Sequence, residues 1–310
     1  MTRHLLSIAD LTPTAVVEVF ALAARLKAQQ LAGECHHLLT GKSVALIFEK
    51  PSNRTRTTFD VGMFQLGGHA VSIAESIRMG ERESVGEVAR NLSRWIDGIV
   101  ARTFSHTTVV QLAEHGTIPV VNALTDLEHP CQALTDLFTM QERFGDLRGR
   151  KLAYVGDGNN MANSLSLLGP LCGVDVTIGC PDGYRPDARV TAQAQQAAAA
   201  HGTKFVITDK PERAVVDADV VYTDVWTSMG QEAEHEQRLR VFPPYQVNAA
   251  LVARAKPTAV VMHCLPAHRG WEITDEVLDG EQSVVYDEAE NRLHVQKAVL
   301  VQLLAGGAVE

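Results

Sequence analysis

Short apolar runs alternate with helix-length amphipathic segments along most of the chain, and this alternation limits the fold more than any other feature. Runs at 44–48, 69–73, 98–101 and 118–121 read as strands. A second series stands at 152–155, 175–178, 204–207, 219–222 and 259–262, with a last strand expected at 283–286. The segments between them carry apolar residues at helical spacing. Strands and helices in this rhythm build parallel sheets covered on both faces. The polar stretch Gly145-Asp146-Leu147-Arg148-Gly149-Arg150-Lys151 separates the two series and reads as a linker. The expected class is therefore α/β, with two domains, each a parallel β-sheet flanked by helices.

Local signals refine the elements. Thr12-Pro13 opens a helix with a capping hydroxyl and a proline at its first position. Ser84-Val85-Gly86-Glu87 is a capping box, followed by an expected apolar face of Val85, Val88, Leu92, Trp95 and Ile96. Thr107 is the expected cap of a short helix ending at Gly116, and a final helix is expected over roughly 289–304. The polar segment 74–82 reads as a mobile loop, and 231–240 as an exposed helix or lid.

One junction carries unusual chemistry. Ser52-Asn53-Arg54-Thr55-Arg56-Thr57-Thr58 follows the strand at 44–48 and precedes a helix with Phe59, Met63 and Leu66 on one face. A helix start exposes unpaired N–H groups and partial positive charge. Two guanidiniums and four hydroxyls added there suit a tetrahedral oxyanion such as phosphate. The alternative is a solvated, Ser-capped helix start. The chain has 28 Lys and Arg against 37 Asp and Glu, a net charge of -9, which argues against a general nucleic-acid surface. A local arginine cluster in so acidic a molecule focuses a small anion.

Polar residues also gather at the carboxyl ends of other expected strands: Arg102, His129 to Gln132, Asn159-Asn160, Asp224 to Met229 and His263 to Leu265. Ligands of open parallel sheets sit at such ends, so a site in a cleft between the domains is expected. Gly156-Asp157-Gly158-Asn159-Asn160 resembles the start of a dinucleotide turn, but Met161 stands where the third glycine belongs. His129, Cys131, His263, Cys264 and His268 invite a zinc reading, yet their spacing matches no standard ligand pattern, and no metal is expected. Cys131 or Cys264 with a histidine would make a nucleophile, and Ser52 lacks an evident base. Asp224 and Ser228 suit an ammonium group; alternatively, Asp224 caps a surface loop. The five cysteines form no CxxC pair, so free thiols in a reducing cytoplasm are expected. The N-terminal residues lack a signal-peptide core, and no run reaches the roughly 18 apolar residues of a membrane span.

The motifs, in order along essentially the whole chain, resemble the aspartate/ornithine carbamoyltransferase family. They are Ser52-Asn53-Arg54-Thr55-Arg56-Thr57, Arg102, His129-Pro130-Cys131-Gln132, Asn159-Asn160, Asp224-Val225-Trp226-Thr227-Ser228-Met229-Gly230, His263-Cys264-Leu265-Pro266 and Glu290-Asn291-Arg292-Leu293-His294. The resemblance, strongest to the members that use ornithine, implies a carbamoyl-phosphate-binding domain over 1–146, joined by the C-terminal helix at 289–310, and an ornithine-binding domain over 147–288. It implies a homotrimer or an assembly of trimers, no cofactor, and transfer of a carbamoyl group to ornithine in arginine biosynthesis, with neither nucleic acid nor membrane as partner. Implied carbamoyl-phosphate ligands are Ser52, Asn53, Arg54, Thr55, Arg102, His129, Gln132, Cys264, Leu265 and Arg292. Implied catalytic residues among these are Arg54, Arg102, His129 and Cys264. Implied ornithine ligands are Asn160, Asp224, Ser228 and Met229. Two positions depart from the family pattern. Asn53 replaces the commoner Thr. Arg78 stands where many relatives have a Gln reaching into a neighbour's site, so it either contacts phosphate or pairs with an acid such as Glu81.

Overall fold

The computed structural model describes residues 3–73, 79–80, 82–228 and 230–305. Arg78, Glu81 and Met229, and most of the expected loop at 74–82, lie outside the described residues. The chain divides into two compact units, Met1–Thr135 with Glu290–Glu310, and Asp136–Ala289.

The first unit opens with a 3-10 turn, Ile8–Asp10, and helix α1, Pro13–Leu31. Then come β1 (Ser43–Phe48), α2 (Asn53–Gln65), β2 (His69–Ile73) and α3 (Val85–Leu92). They are followed by β3 (Gly98–Arg102), α4 (His106–His115), β4 (Val120–Leu124) and the start of α5 (Pro130–Phe144), whose residues from Asp136 onward belong to the second unit. All strand pairs are parallel, in the order β2-β1-β3-β4. The chain therefore runs outward from β1 to β2 and then crosses to β3, which places a topological switch between β1 and β3. Ala45, Ile47, Ile99 and Ala101 of the sheet pack with Ala89, Leu92, Val109 and Leu112 of the helices. Phe59, Met63 and Leu66 are fully buried, as their spacing requires.

Two details of this unit differ from the sequence reading. Ser105, not Thr107, caps α4, its hydroxyl accepting from the Thr107 N–H. Helix α3 stops at Leu92, so Trp95 is not on its buried face and is 73% exposed; Gly86 and Ala89 share that face with Leu92.

The second unit contains β5 (Lys151–Val155), α6 (Asn160–Leu171), β6 (Asp175–Gly179), α7 (Ala188–His201) and β7 (Phe205–Thr208). It continues through α8 (Pro211–Ala214), β8 (Val220–Thr223), α9 (His235–Val241), α10 (Ala249–Val252), β9 (Val260–His263) and α11 (Asp275–Leu278). The parallel order is β7-β6-β5-β8-β9, with its switch between β5 and β8. Its core joins Ala153, Val155, Val221 and Val261 to Trp226, Phe242 and Ile273. The segment expected as an exposed helix or lid forms helix α9, mostly exposed but held at one residue. Arg238 of α9 is buried, its Nη1 lying 2.8 Å from Asp157 Oδ2 and donating to the Trp226 carbonyl at 2.7 Å.

The expected strand at 283–286 reduces to one bridge between Ser283 and Val261, and helix α12 begins at Val285. Two valines and a tyrosine read as a strand in isolation. The buried positions Val284, Val285, Glu288, Asn291, Arg292 and Val295 instead follow helical spacing. From Glu290 onward α12 belongs to the first unit. There Lys297 Nζ donates to Gln30 Oε1 of α1 at 2.8 Å and to Gln65 Oε1 of α2 at 2.9 Å, and lies 3.1 Å from His36 Nε2. Gly62 of α2 allows this approach, since a Cβ there would stand 3.2 Å from Lys297 Cγ.

Gly158 has a structural use that the dinucleotide resemblance does not supply. A Cβ at this position would lie 2.3 Å from both Arg185 C and Pro186 N. The close approach that a pyrophosphate would need is taken by the chain's own backbone, to which Gly158 N–H also donates at Tyr184 O. Because backbone cannot rotate away, Gly158→Ala is expected to destabilise the protein by about 3 kcal/mol. A urea midpoint unchanged from the wild type would show that the 184–186 segment yields easily.

Candidate active site

In each sheet, the chemistry-bearing residues follow the two strands that flank the switch and one strand beyond it, β4 in the first unit and β9 in the second. In the first unit those at the switch are the stretch after β1 and Arg102 at the end of β3. Ser52 is the N-cap of α2, with extended backbone at φ -155° and ψ 114°, but its side chain makes no capping bond. The caps of α1, α3, α4, α6 and α7 all do. Ser52 thus caps α2 by position and not through its hydroxyl, and the first N–H groups of a helix have no intrahelical partner.

The seven-residue stretch is less uniformly aimed than its composition suggests. Thr58 Oγ1 donates to the Arg54 carbonyl at 2.8 Å, and Thr57 Oγ1 is 3.5 Å from Asn53 Oδ1. The Arg56 guanidinium lies 5.1 Å from the centre of the Phe48 ring. Thr55 is buried and points inward, accepting from Arg292 Nη2 at 2.6 Å. Arg292 Nη1 also donates to Gln132 Oε1. One guanidinium on α12 thus joins a hydroxyl of α2 to an amide of α5.

Arg102, His129, Gln132 and Arg292 are all buried. His129 stands just before α5, its carbonyl accepting from the N–H groups of Gln132 and Ala133. Burial, then the charges of Arg292 and Arg102, hold its imidazole well below the ordinary histidine range. The ring is therefore neutral at physiological pH, between two permanent cations. Such a group can donate one hydrogen bond to an oxyanion without adding charge. The turn before it is fixed by Glu128, whose carboxylate accepts from Ser7 Oγ at 2.5 Å and Ile8 N at 2.9 Å.

In the second unit, Asn159 and Asn160 follow β5, Asp224 follows β8, and Cys264 and Leu265 follow β9. Asp224 is buried rather than capping a surface loop. Its Oδ1 accepts from Val225 N at 2.8 Å and from Cys264 Sγ at 3.1 Å, and its Oδ2 from Asn159 Nδ2 at 2.8 Å. Ser228 is half-buried, with its N–H directed to Gln231 Oε1 at 3.2 Å. Asn160 occupies the first turn of α6. Leu265 adopts φ 55°, an unusual value for a branched residue and a form of local strain that clusters at functional sites.

The two thiols are not poised as nucleophiles. Burial pushes Cys131 up to about 12, and its Sγ is 3.6 Å from the Asn122 carbonyl. Burial, with Asp224 and Glu288 nearby, raises Cys264 well above the ordinary thiol range. Cys264 is thus a protonated donor to Asp224. Asp224, His263 and Cys264 do bring potential ligand atoms within 4.8 Å of one another. Both nitrogens of His263 are engaged, however: Nδ1 accepts from Leu265 N at 2.9 Å and Nε2 donates to Glu272 Oε1 at 3.2 Å. His268 is exposed and pairs with Glu272 instead. Behind this group, buried Glu288 accepts from His263 N at 3.0 Å. Sequence reasoning missed Asn159, Glu272 and Glu288 as supports. Only Asn159 had a visible signal, as an Asn placed to cap the next helix.

Comparison with known proteins covers nearly the whole chain. Residues 3–142 match the family model "Aspartate/ornithine carbamoyltransferase, carbamoyl-P binding domain". Residues 148–303 match "Aspartate/ornithine carbamoyltransferase, Asp/Orn binding domain". The chain is 51% identical to the ornithine carbamoyltransferase of Pyrococcus abyssi over 98% of its length and 96% of that protein. It is 50% identical to the anabolic ornithine carbamoyltransferase of Pyrococcus furiosus, covering 98% of this chain and 97% of the relative. A solved structure of ornithine carbamoyltransferase from Pyrococcus furiosus superposes with a TM-score of 0.95 at 49% identity, covering 99% and 98% of the two chains.

The thiol assignments are open to direct measurement. With iodoacetamide at pH 8, exposed Cys35 is expected to alkylate at least about tenfold faster than Cys131 or Cys264, because only a thiolate reacts. Peptide mass spectrometry over a time course checks this. Rapid labelling of Cys264 would restore a nucleophilic role for it.

Proposed function

The chain belongs to the aspartate/ornithine carbamoyltransferase family, and from that premise we propose that it transfers the carbamoyl group of carbamoyl phosphate to the side-chain amine of L-ornithine. The products are L-citrulline and phosphate. The observation that carries the choice of acceptor is about 50% identity, over nearly the full chain, to ornithine carbamoyltransferases.

The residues have a natural division of labour in this reaction. Ser52, Asn53, Arg54 and Thr55 hold the phosphate at the start of α2. Arg102 and His129, with Thr55, polarise the carbamoyl carbonyl and stabilise the oxyanion as the amine attacks. One preorganised donor of this kind lowers the barrier by about 3–4 kcal/mol. Gln132 and the Leu265 carbonyl hold the carbamoyl NH2, and Arg292 fixes Gln132 and Thr55. Asn160 and the Met229 backbone take the α-carboxylate of ornithine, Asp224 and Ser228 its α-ammonium. Cys264, as a neutral thiol, lies beside the attacking amine. The nitrogen forms the new bond to carbon, the bond from carbon to the phosphate oxygen breaks with its electron pair leaving on phosphate, and the nitrogen's proton passes to that departing phosphate. Arg78 contacts phosphate or an acid of its own loop, and its role rests on the resemblance alone. The assignment of 1–146 with 289–310 to carbamoyl phosphate and 147–288 to ornithine follows the same division. Assembly as a homotrimer or a group of trimers, a cytoplasmic location and a place in arginine biosynthesis complete the proposal. Among the described residues no helix is long and apolar enough to cross a membrane.

Purified protein given carbamoyl phosphate with ornithine, aspartate or putrescine in parallel is expected to form product with ornithine. Faster transfer to either rival would overturn the acceptor assignment. Arg54→Ala is expected to lower kcat/KM by about 100-fold or more, raising the KM for carbamoyl phosphate as the rate falls. Near-normal kinetics would mean the stretch had been misread. The attacking amine must be neutral, against an ordinary pKa of about 10.4, so the rate is expected to climb from about pH 7 toward about 9. His129, already neutral across that window, adds no limb of its own. A flat profile while chemistry limits turnover would refute the neutral-amine requirement.

A further inference from the structure

Asn159 belongs to the quoted motif yet has no part in the reaction as assigned above. Its amide orientation is fixed at both ends. Oδ1 accepts from Met161 N at 2.9 Å, Ala162 N at 3.2 Å and Tyr154 Oη at 3.2 Å. The first two are orphan donors of helix α6, which only an oxygen can satisfy. Tyr154 is fully buried, and desolvation keeps its phenol protonated as a donor. The nitrogen must therefore face the other way, and Nδ2 donates to Asp224 Oδ2 at 2.8 Å.

That bond decides what the carboxylate can still accept. A carboxylate offers about four lone-pair sites. Among the described residues, Val225 N–H and the Cys264 thiol use both sites on Oδ1, and Asn159 uses one on Oδ2. One site on Oδ2 remains. We propose that Asn159 is the positioning residue of the ammonium site, turning the Asp224 carboxylate so that its last open lone pair meets the substrate's α-ammonium. The inference deepens the functional reading and rests on Asp224 being the ammonium acceptor. Asn159 touches no substrate itself: it acts through Asp224 and couples that carboxylate to the start of α6.

Two substitutions separate positioning from capping. Asn159→Ser keeps a capping hydroxyl but is too short to reach Asp224, while Asn159→Ala loses both roles. Both are expected to raise the KM for ornithine about tenfold, the worth of one hydrogen bond to a charged group, with kcat within about twofold of wild type. The KM for carbamoyl phosphate is expected to stay unchanged. The inhibition constant of 2-aminopentanoate, which has the same amino-acid head and no side-chain amine, is expected to rise by the same factor as the KM for ornithine. Only the Ala variant is expected to lower the thermal midpoint. A KM rise confined to Asn159→Ala, following the midpoint, would reduce Asn159 to a helix cap and overturn the inference. Asp224→Asn separates the two layers. If it leaves the KM for ornithine unchanged, the ammonium role of Asp224 fails. If it raises that KM while both Asn159 variants behave as wild type, the positioning role alone fails.

Discussion

The Arg292 guanidinium, buried between Thr55 and Gln132, is the interaction on which the first unit's site depends. Moving a charge out of water is costly unless hydrogen bonds replace its hydration. Here Thr55 Oγ1 and Gln132 Oε1 supply two of those hydrogen bonds. Lys297 repeats the arrangement on the same helix, held by the two glutamines Gln30 and Gln65 beside His36. The helix is thus fastened by polar bonds at defined points, where an apolar stripe alone could slide by a turn. That fastening fixes the geometry of Thr55 and Gln132 before any substrate arrives.

The group around Asp224 in the second unit inverts the charge and keeps the logic. Asp224 is a buried carboxylate satisfied by a backbone N–H, a thiol and an amide. Cys264 contributes as a donor because burial keeps its proton in place. Hydrogen-bonding dipoles fixed by the fold contact a buried charge in each unit, and such dipoles need not reorganise as charge develops. Both groups grow from the same architectural rule, since each lies at the carboxyl ends of parallel strands, at and next to the point where the sheet reverses its order.

Much of this was legible in the sequence. Parallel strands buried on both faces read as continuous apolar runs, and those at 44–48, 152–155 and 219–222 fall within or against β1, β5 and β8. The polar residues at strand ends were legible for the same reason: they interrupt an apolar pattern. What stayed hidden depends on partners distant in sequence. Arg238 looked like one charge in a solvated helix, and nothing nearby announced Asp157 as its partner. Val284 and Val285 looked like a strand because their burial against β9 and the start of α12 is a tertiary fact. Glu272 and Glu288 carry no local signature as buried carboxylates, since burial of an acid is set by what it hydrogen-bonds.

The discontinuity of the first unit has a consequence for how the protein is made. Residues 136–289 form a contiguous unit, whereas the first unit needs 290–304 to close around Gln30, Gln65 and Gln132. On the ribosome, the first half of the chain emerges early but lacks the helix whose Arg292 and Lys297 bond to it. Domains tend to fold as units during synthesis, and exposed apolar surface invites misassembly while they wait. The insertion can therefore mature before the unit that precedes it. Until α12 is released, Thr55 and Gln132 lack the guanidinium that later joins them.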